Sequence, residues 1–392
     1  MKNDKIEFKI GSYNLNSQSN LNYQLNRTIM WGGGELSDIE EIAHGIYDSI
    51  AWKRELIAIG DKAFSEGRIR EAIAYYRMSE FFMYDGDADK QKYYSLATEL
   101  FYDYYKNFFV DSTVVSYEVP FENITLPVMY AKAKGMKKDT ILLHGGNDSY
   151  FEEFFLPMLY LAENGFEVYL FEGPGQGGVM RIQGRHFSYQ WEKPVKAILD
   201  FFRLDDVTII GASLGGMLAP RAAAFEKRIN RVIAWSVFPN FMDILISTQP
   251  PRLQKFLNFL VKMRLGFVIN TVFNFKLKRG DELVKWGLRH GMYAYEAKTP
   301  CEYIFKMSQY QMIDIAPLIE QDMLIIGANK DHFIDYHMVS KEIDVLKNVK
   351  SLTVRIFTDK ETAGAHCNVG NVKLILDTVM SWVAGVKDRV SG

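Results

Sequence analysis

The sequence predicts an α/β protein: a mostly parallel sheet with helices on both faces, preceded by a helical region and interrupted by a helical insertion. Three observations carry this reading. Short apolar runs of strand length alternate with helical stretches from residue 139 to 237, and the rhythm resumes from 323 to 386. Residues 36–109 show helical periodicity instead, with Ile39, Ile42, Ala43, Ile46 and Tyr47 as its first example. Finally, the β-branched run of residues 206–210 stops in Gly211-Ala212-Ser213-Leu214-Gly215 and continues as an apolar helix through Met217, Leu218 and Ala219. A strand that turns sharply into a helix needs small neighbours, and it leaves the central serine exposed at the carboxyl edge of the sheet.

Taken in order, residues up to Gly34 hold Asn, Ser and the Trp31-Gly32-Gly33-Gly34 turn, and no element is assigned to them. Gly67 and the Asp85-Gly86-Asp87 turn divide the helices of 36–109, with Asp87 or Asp89 as a cap for the third. Residues 63–76 look like one tetratricopeptide-type hairpin, but no second copy follows, so a plain helical bundle is expected rather than a peptide-binding array. Residues 113–119 and 125–131 read as an antiparallel hairpin. The run 139–143 ends in His144-Gly145-Gly146-Asn147-Asp148, a helix over 151–164 follows, and 167–171 is the next strand. Its loop, Gly173-Pro174-Gly175-Gln176-Gly177-Gly178, lacks the Gly-Lys-Ser/Thr ending of a phosphate loop. A helix near 191–203 returns the chain to the Ser213 strand, and 232–237 is the strand after it. Residues 241–316 then break the rhythm with aromatic-rich amphipathic segments and Pro250-Pro251, which reads as an inserted helical lid. Residues 323–327, a helix over 336–346, the strand 352–357 and a helix over 369–386 complete the core. The expected domains are therefore 1–110, an arm with a helical region, and 111–392, the catalytic domain carrying the lid at about 241–316.

The composition narrows the class. The 392 residues carry 46 basic and 48 acidic side chains, a net charge of -2, so neither nucleic acid nor an anionic membrane is an expected partner. A small molecule or short peptide substrate is expected, with, if the chain associates, a homodimer through the helical region. Cys301 and Cys367 alone build neither a disulfide framework nor a zinc site, which points to a reducing cytoplasm and to no metal. The polar N-terminus has no apolar signal core, and the most apolar long stretch, 256–275, carries Lys262, Arg264 and Asn270 and reads as amphipathic helix.

A serine nucleophile needs a base, and the base an orienting acid, because a hydroxyl is barely ionised at neutral pH. In a sheet of this kind the chain order is serine, acid, histidine, which removes His44, His144 and His186. His366, in the glycine-containing loop after the last strand, is the expected base, ahead of His290, His332 and His337. Asp331, after the strand 323–327, is the expected acid; Asp335 is its rival and Asp243 a poorer one. The expected oxyanion donors are the Leu214 N–H and an N–H of Gly146 or Asn147. His144 reads as a structural hydrogen-bonding residue, and Asp148 as a substrate-binding group at the same mouth or a cap for the following helix.

These motifs together resemble the α/β-hydrolase superfamily over residues 113–386. His144-Gly145-Gly146, the Gly173–Gly177 loop, Gly211–Gly215 and Gly364-Ala365-His366-Cys367, behind a helical N-terminal region, look most like the branch containing the dihydroxy-pseudooxynicotine hydrolases. That branch also resembles the acylaminoacyl-peptidase and prolyl-oligopeptidase catalytic domains, although no series of four-stranded blades precedes the core here. The resemblance implies a cofactor-independent serine hydrolase with Ser213, Asp331 and His366 as its triad. Cleavage of an ester or amide is expected; a peptidase-like exopeptidase, carbon–carbon cleavage of a β-diketone-like substrate, or a binding protein on a hydrolase fold are the alternatives. The apolar lid residues, Phe256, Phe259, Leu260, Phe267, Phe273, Phe275, Trp286, Tyr293 and Tyr295, lead to an expected hydrophobic acyl pocket and a preference for short-to-medium uncharged acyl groups.

Overall fold

The computed structural model describes residues 6–247 and 250–391; residues 1–5 of the polar N-terminus, 248–249 of the expected lid and 392 lie outside them. The chain forms two compact units. One contains the sheet and is assembled from residues up to Ile10, Phe108–Ile244 and Gln309 onward. The other is helical and combines Gly11–Asn107 with Leu245–Ser308.

The sheet has eight strands: β1 (Val114–Phe121), β2 (Ile124–Ala131), β3 (Asp139–His144), β4 (Phe166–Phe171), β5 (Val207–Ala212), β6 (Ile229–Trp235), β7 (Asp322–Ala328) and β8 (Ser351–Phe357). Their spatial order is β1-β2-β4-β3-β5-β6-β7-β8. The expected hairpin forms β1 and β2, which pair antiparallel, and β2 meets β4 antiparallel; all the remaining pairs are parallel. Every residue of β3, β5 and β7 is buried, which is why these strands read as continuous apolar runs rather than alternating ones. From β3 the chain first builds outward to β4 and then crosses back to build β5 to β8 on the other side. The reversal opens a crevice beyond the carboxyl ends of β3 and β5, the place where open α/β sheets hold their ligands.

At the opposite edge, a buried ion pair fixes the strand starts. Arg231 of β6 holds both carboxylate oxygens of Asp139 on β3, at 3.1 and 3.0 Å, and its Nε also donates to the Thr208 hydroxyl on β5. Three strands are thereby locked in register by one guanidinium, whose planar fork suits a bidentate carboxylate.

The helical unit departs from the sequence expectation in three ways. First, the unassigned N-terminal stretch contains the helix Ser19–Met30. Its buried Leu21, Leu25 and Ile29 recur every four residues, but the neighbouring Gln24, Asn26, Arg27 and Thr28 are buried too, so the apolar stripe is masked by polar residues. Asn26, for example, exchanges two hydrogen bonds with the Tyr13 backbone. Second, the amphipathic segment 256–275 is two helices, Pro251–Lys262 and Gly266–Arg279, separated at Arg264, whose φ of 51° is left-handed. Third, the inserted segment, expected to extend the catalytic domain as a lid, groups with the N-terminal helices. Trp286 donates to the Met83 carbonyl and sits edge-on against Phe82 at 4.8 Å, and Tyr84 donates to Glu282. The expected helical hairpin is present as Ser49–Ser65 and Ile69–Ser79, turning at Gly67 with φ 74°, and Asp87 caps Ala88–Tyr104. No single described helix is long and apolar enough to cross a membrane.

In the sheet unit, Glu342 is fully buried and accepts the Phe238 N–H at 2.6 Å, while its second oxygen has no partner among the described residues. Burial pushes this carboxyl up to about 8, against a smaller opposing effect of the Phe238 hydrogen bond. The folded state therefore holds a proton that the unfolded chain releases near the ordinary carboxyl value, so stability declines as pH rises through the interval between them. Glu342→Gln, which keeps the shape without the charge, is expected to raise the melting temperature at pH 8 and to change it little at pH 4.5. Thermal melts at the two pH values check this.

Candidate active site

Each functional side chain comes from the carboxyl end of a strand. Ser213 follows β5 directly and has φ 59°, in the left-handed region, with its N–H held by the Trp235 carbonyl at 3.0 Å. The helix Gly215–Phe225 starts immediately after it. So tight a turn needs Gly211, where a Cβ would lie 2.2 Å from the Gly215 carbonyl oxygen. Leu214 stands at the N-cap of that helix, where its N–H has no intrahelical acceptor and the helix dipole is positive.

His366 and Asp331 arrive from the loops after β8 and β7. His366 Nε2 lies 2.9 Å from Ser213 Oγ, and its Nδ1 lies 2.6 Å from Asp331 Oδ2. A carboxylate can only accept, so Nδ1 carries the proton and Nε2 of the neutral ring is the acceptor facing the hydroxyl. The other Asp331 oxygen accepts the N–H groups of Phe333 and Ile334 at 2.8 and 3.0 Å, which fixes the carboxylate in place. Both side chains are 6% exposed. Burial alone would disfavour the imidazolium, but the Asp331 charge, followed by the Cys367 sulfur, outweighs it and holds His366 well above the usual histidine value.

The rivals lie elsewhere. Asp335 is exposed and bonds the N–H and the ring of His337, whereas Asp243 pairs with Lys341. His290 belongs to the helical unit, stacked on Trp286 and bonded to Asp85. His332 neighbours Asp331, but burial, and then the His366 charge, push it down to about 4.

The loop after β3 closes the mouth. A Cβ on Gly146 would lie 2.7 Å from Ser213 Cβ and 2.8 Å from the Leu214 nitrogen, so only glycine lets the loop approach the serine this closely. The Gly146 N–H donates to Ser149 Oγ at 2.8 Å, and the Asn147 side chain donates to Asp148. Asp148 does not cap the following 3₁₀ turn, Phe151–Phe154, whose N-cap is Tyr150. His144 is structural: its Nε2 accepts the Trp191 indole N–H at 3.2 Å, so its Nδ1–H donates to the Gly145 carbonyl at 2.8 Å. Burial pushes its ring down to about 4, outweighing that backbone bond.

The residues that brace this mouth leave little trace in the sequence. Gln176, buried in the loop after β4, donates to the Gly145 and Gly146 carbonyls at 2.8 and 3.0 Å and accepts the Gly173 N–H. Glu172, also buried, accepts the N–H groups of Phe151 and Gly178. The available signal was a polar side chain framed by glycines directly after an apolar strand. Asn368, two residues beyond His366, ties the Trp235 indole to the Ala363 carbonyl.

Of the apolar residues expected to line an acyl pocket, Phe256, Phe259, Phe267, Phe275 and Tyr293 are exposed, Phe273 is half-buried, and Leu260, Trp286 and Tyr295 are buried. The helical unit uses the buried ones as its own core.

Residues 141–358 match the family model described as the alpha/beta hydrolase fold. The chain is 27% identical over 362 residues to the hydrolase acrC of Aspergillus aculeatus, covering 84% of this chain and 83% of that one. It is 28% identical over 285 residues to the 20-hydroxy-prefusarin hydrolase FUS2 of Gibberella moniliformis, covering 67% and 66%. Among solved structures, 2,6-dihydroxy-pseudo-oxynicotine hydrolase superposes with a TM-score of 0.64 at 18% identity, covering 92% of this chain and 94% of that one, a likeness of fold.

Proposed function

The chain belongs to the α/β-hydrolase fold family, and from that premise we propose that it hydrolyses a carboxylic ester or amide through an acyl-enzyme on Ser213. The observation that carries the proposal is the unbroken relay from Asp331 through His366 to Ser213, at 2.6 and 2.9 Å. Ser213 Oγ attacks the carbonyl carbon as its proton passes to His366 Nε2, and Asp331 stabilises the imidazolium. The tetrahedral oxyanion takes the Leu214 N–H and a second donor from Gly146 or Asn147; for Gly146 this requires the Ser149 hydroxyl to give up its bond. The imidazolium then protonates the leaving alcohol or amine. In the second half, His366 deprotonates water, which attacks the acyl carbon and frees Ser213. Gln176 holds the loop that supplies the second donor, and in this reading Asp148 of the same loop takes a polar substrate group.

Substrate class is the open variable, and a panel of nitrophenyl esters of graded acyl length, acyl-amino-acid anilides and β-diketones tests it. Turnover of uncharged esters is expected, and the dependence of the specificity constant on acyl length reports how much apolar surface the acyl group buries, about 0.8 kcal/mol per methylene. Cleavage confined to anilides or to diketones would replace the ester reading.

The pH profile follows from the site. Only neutral His366 can accept the serine proton, so kcat/KM is expected to rise with pH, with its midpoint above the ordinary histidine value of about 6.5. The same elevation stabilises the fold below that value, and the contribution is lost as pH rises through the folded-state pKa. A rate that is flat down to about pH 4 would remove histidine as the base.

A further inference from the structure

We propose that the helices Pro251–Lys262 and Gly266–Arg279 form a surface that docks on an anionic phospholipid bilayer. The proposal does not rest on the catalytic reading.

The two helices pack on one another, and the second packs on Glu282–Ala294 and Pro300–Met307 within the helical unit. Leu260 and Ile269 are their fully buried hydrophobes, and Asn270 accepts the Cys301 N–H. Leu257, Val261, Val268, Phe273 and Leu277 are half-buried, and the other large apolar side chains are exposed. Phe256, Phe259 and Met263 recur at three- and four-residue spacing and are 49%, 52% and 56% exposed; Phe267 and Phe275 follow at 86% and 59%. A helix that served only to cover its own body would carry polar residues there.

The charge pattern says what the face suits. Residues 251–280 hold seven of the chain's 46 basic side chains and none of its 48 acidic ones. Among the described residues, none of the seven makes an ion pair, while Arg279 and Lys276 lie over phenylalanine rings. Exposed phenylalanines flanked by lysine and arginine are the make-up of a helix lying in a bilayer interface, rings among the acyl chains and cations at the headgroup phosphates. Helices of 12 and 14 residues are too short to span, so the mode is surface binding. A second copy is a poorer occupant, because a two-fold interface through this face would set unpaired cations against themselves. The whole-chain balance that argued against a membrane partner conceals this segregation.

Flotation of the full chain with vesicles of phosphatidylcholine alone, or mixed with phosphatidylglycerol, tests the proposal. Binding is expected only with phosphatidylglycerol present, and it should weaken with salt. Reversing Lys255, Lys262 and Arg264 to glutamate should lower partitioning about a hundredfold, and Phe256→Ser with Phe259→Ser at least about tenfold, with circular dichroism and melting unchanged. Phe267→Ser, at the most exposed ring, is the substitute if either combination fails to fold. Absence of binding, or equal binding to neutral vesicles, would overturn the proposal. So would a dimer in sedimentation velocity that the phenylalanine substitutions dissociate, since the occupant would then be a second copy.

Discussion

Ser213→Ala is expected to abolish both turnover and covalent labelling by a fluorophosphonate probe while leaving the melting temperature near that of the parent protein. The substitution removes one hydroxyl. It keeps the Cβ that Gly146 packs against and the Ser213 N–H bond to the Trp235 carbonyl, and the left-handed φ of 59° is no harder for alanine than for serine. Removing a nucleophile that acts in concert with its base costs roughly 10⁴- to 10⁶-fold in kcat. That is far larger than any effect of small repacking. Substantial residual turnover with labelling intact would place the nucleophile elsewhere and dissolve the proposed mechanism.

Asp331→Asn is expected to lower kcat by about 10⁴-fold, because an amide cannot balance the imidazolium and can hold His366 in the wrong tautomer. The cause is electrostatic and specific to one oxygen, the one 2.6 Å from Nδ1. Asp335→Asn, in contrast, touches only the exposed His337 and its own turn, so its turnover should stay close to that of the parent. The comparison is informative because the two residues are neighbours in sequence and either was an acceptable acid from spacing alone. Steady-state kinetics of both variants, with circular dichroism to confirm folding, decide it; equal losses, or the larger loss at Asp335, would reassign the acid.

Ser213, Asp331 and His366 were legible because apolar runs fix where strands end, and strand ends fix which loops meet. The parallel core followed from the same runs: fully buried strands such as β5 and β7 leave no room for polar alternation. What stayed hidden depended on contacts with no local trace. In Ser19–Met30, buried polar residues obscured the stripe of Leu21, Leu25 and Ile29. Gln176 gave only a polar residue among glycines, and its partners, Gly145 and Gly146, lie 31 and 30 residues away. Arg264 gave no proline or glycine signal of its own for the break it makes between two helices, since left-handed φ in a non-glycine residue has no compositional mark. The apolar content of the insertion was visible, but its division into buried and outward-facing residues depends on a body elsewhere in the chain.

That dependence bears on how the protein is made. The helices within Gly11–Asn107 leave the ribosome early, yet the compact unit they belong to also requires Leu245–Ser308. Tyr84 waits 198 residues for Glu282, and Met83 waits 203 for Trp286, while most of the sheet is synthesised in between. A nascent chain therefore carries Phe81 and Phe82 without the indole that covers them, for about ten seconds or more at ordinary elongation rates. This interval is when chaperone capture or misassociation has its opportunity. The genetic order also means that neither unit can be excised as one continuous segment, so deletion mapping that treats residue 110 as a boundary would disrupt both.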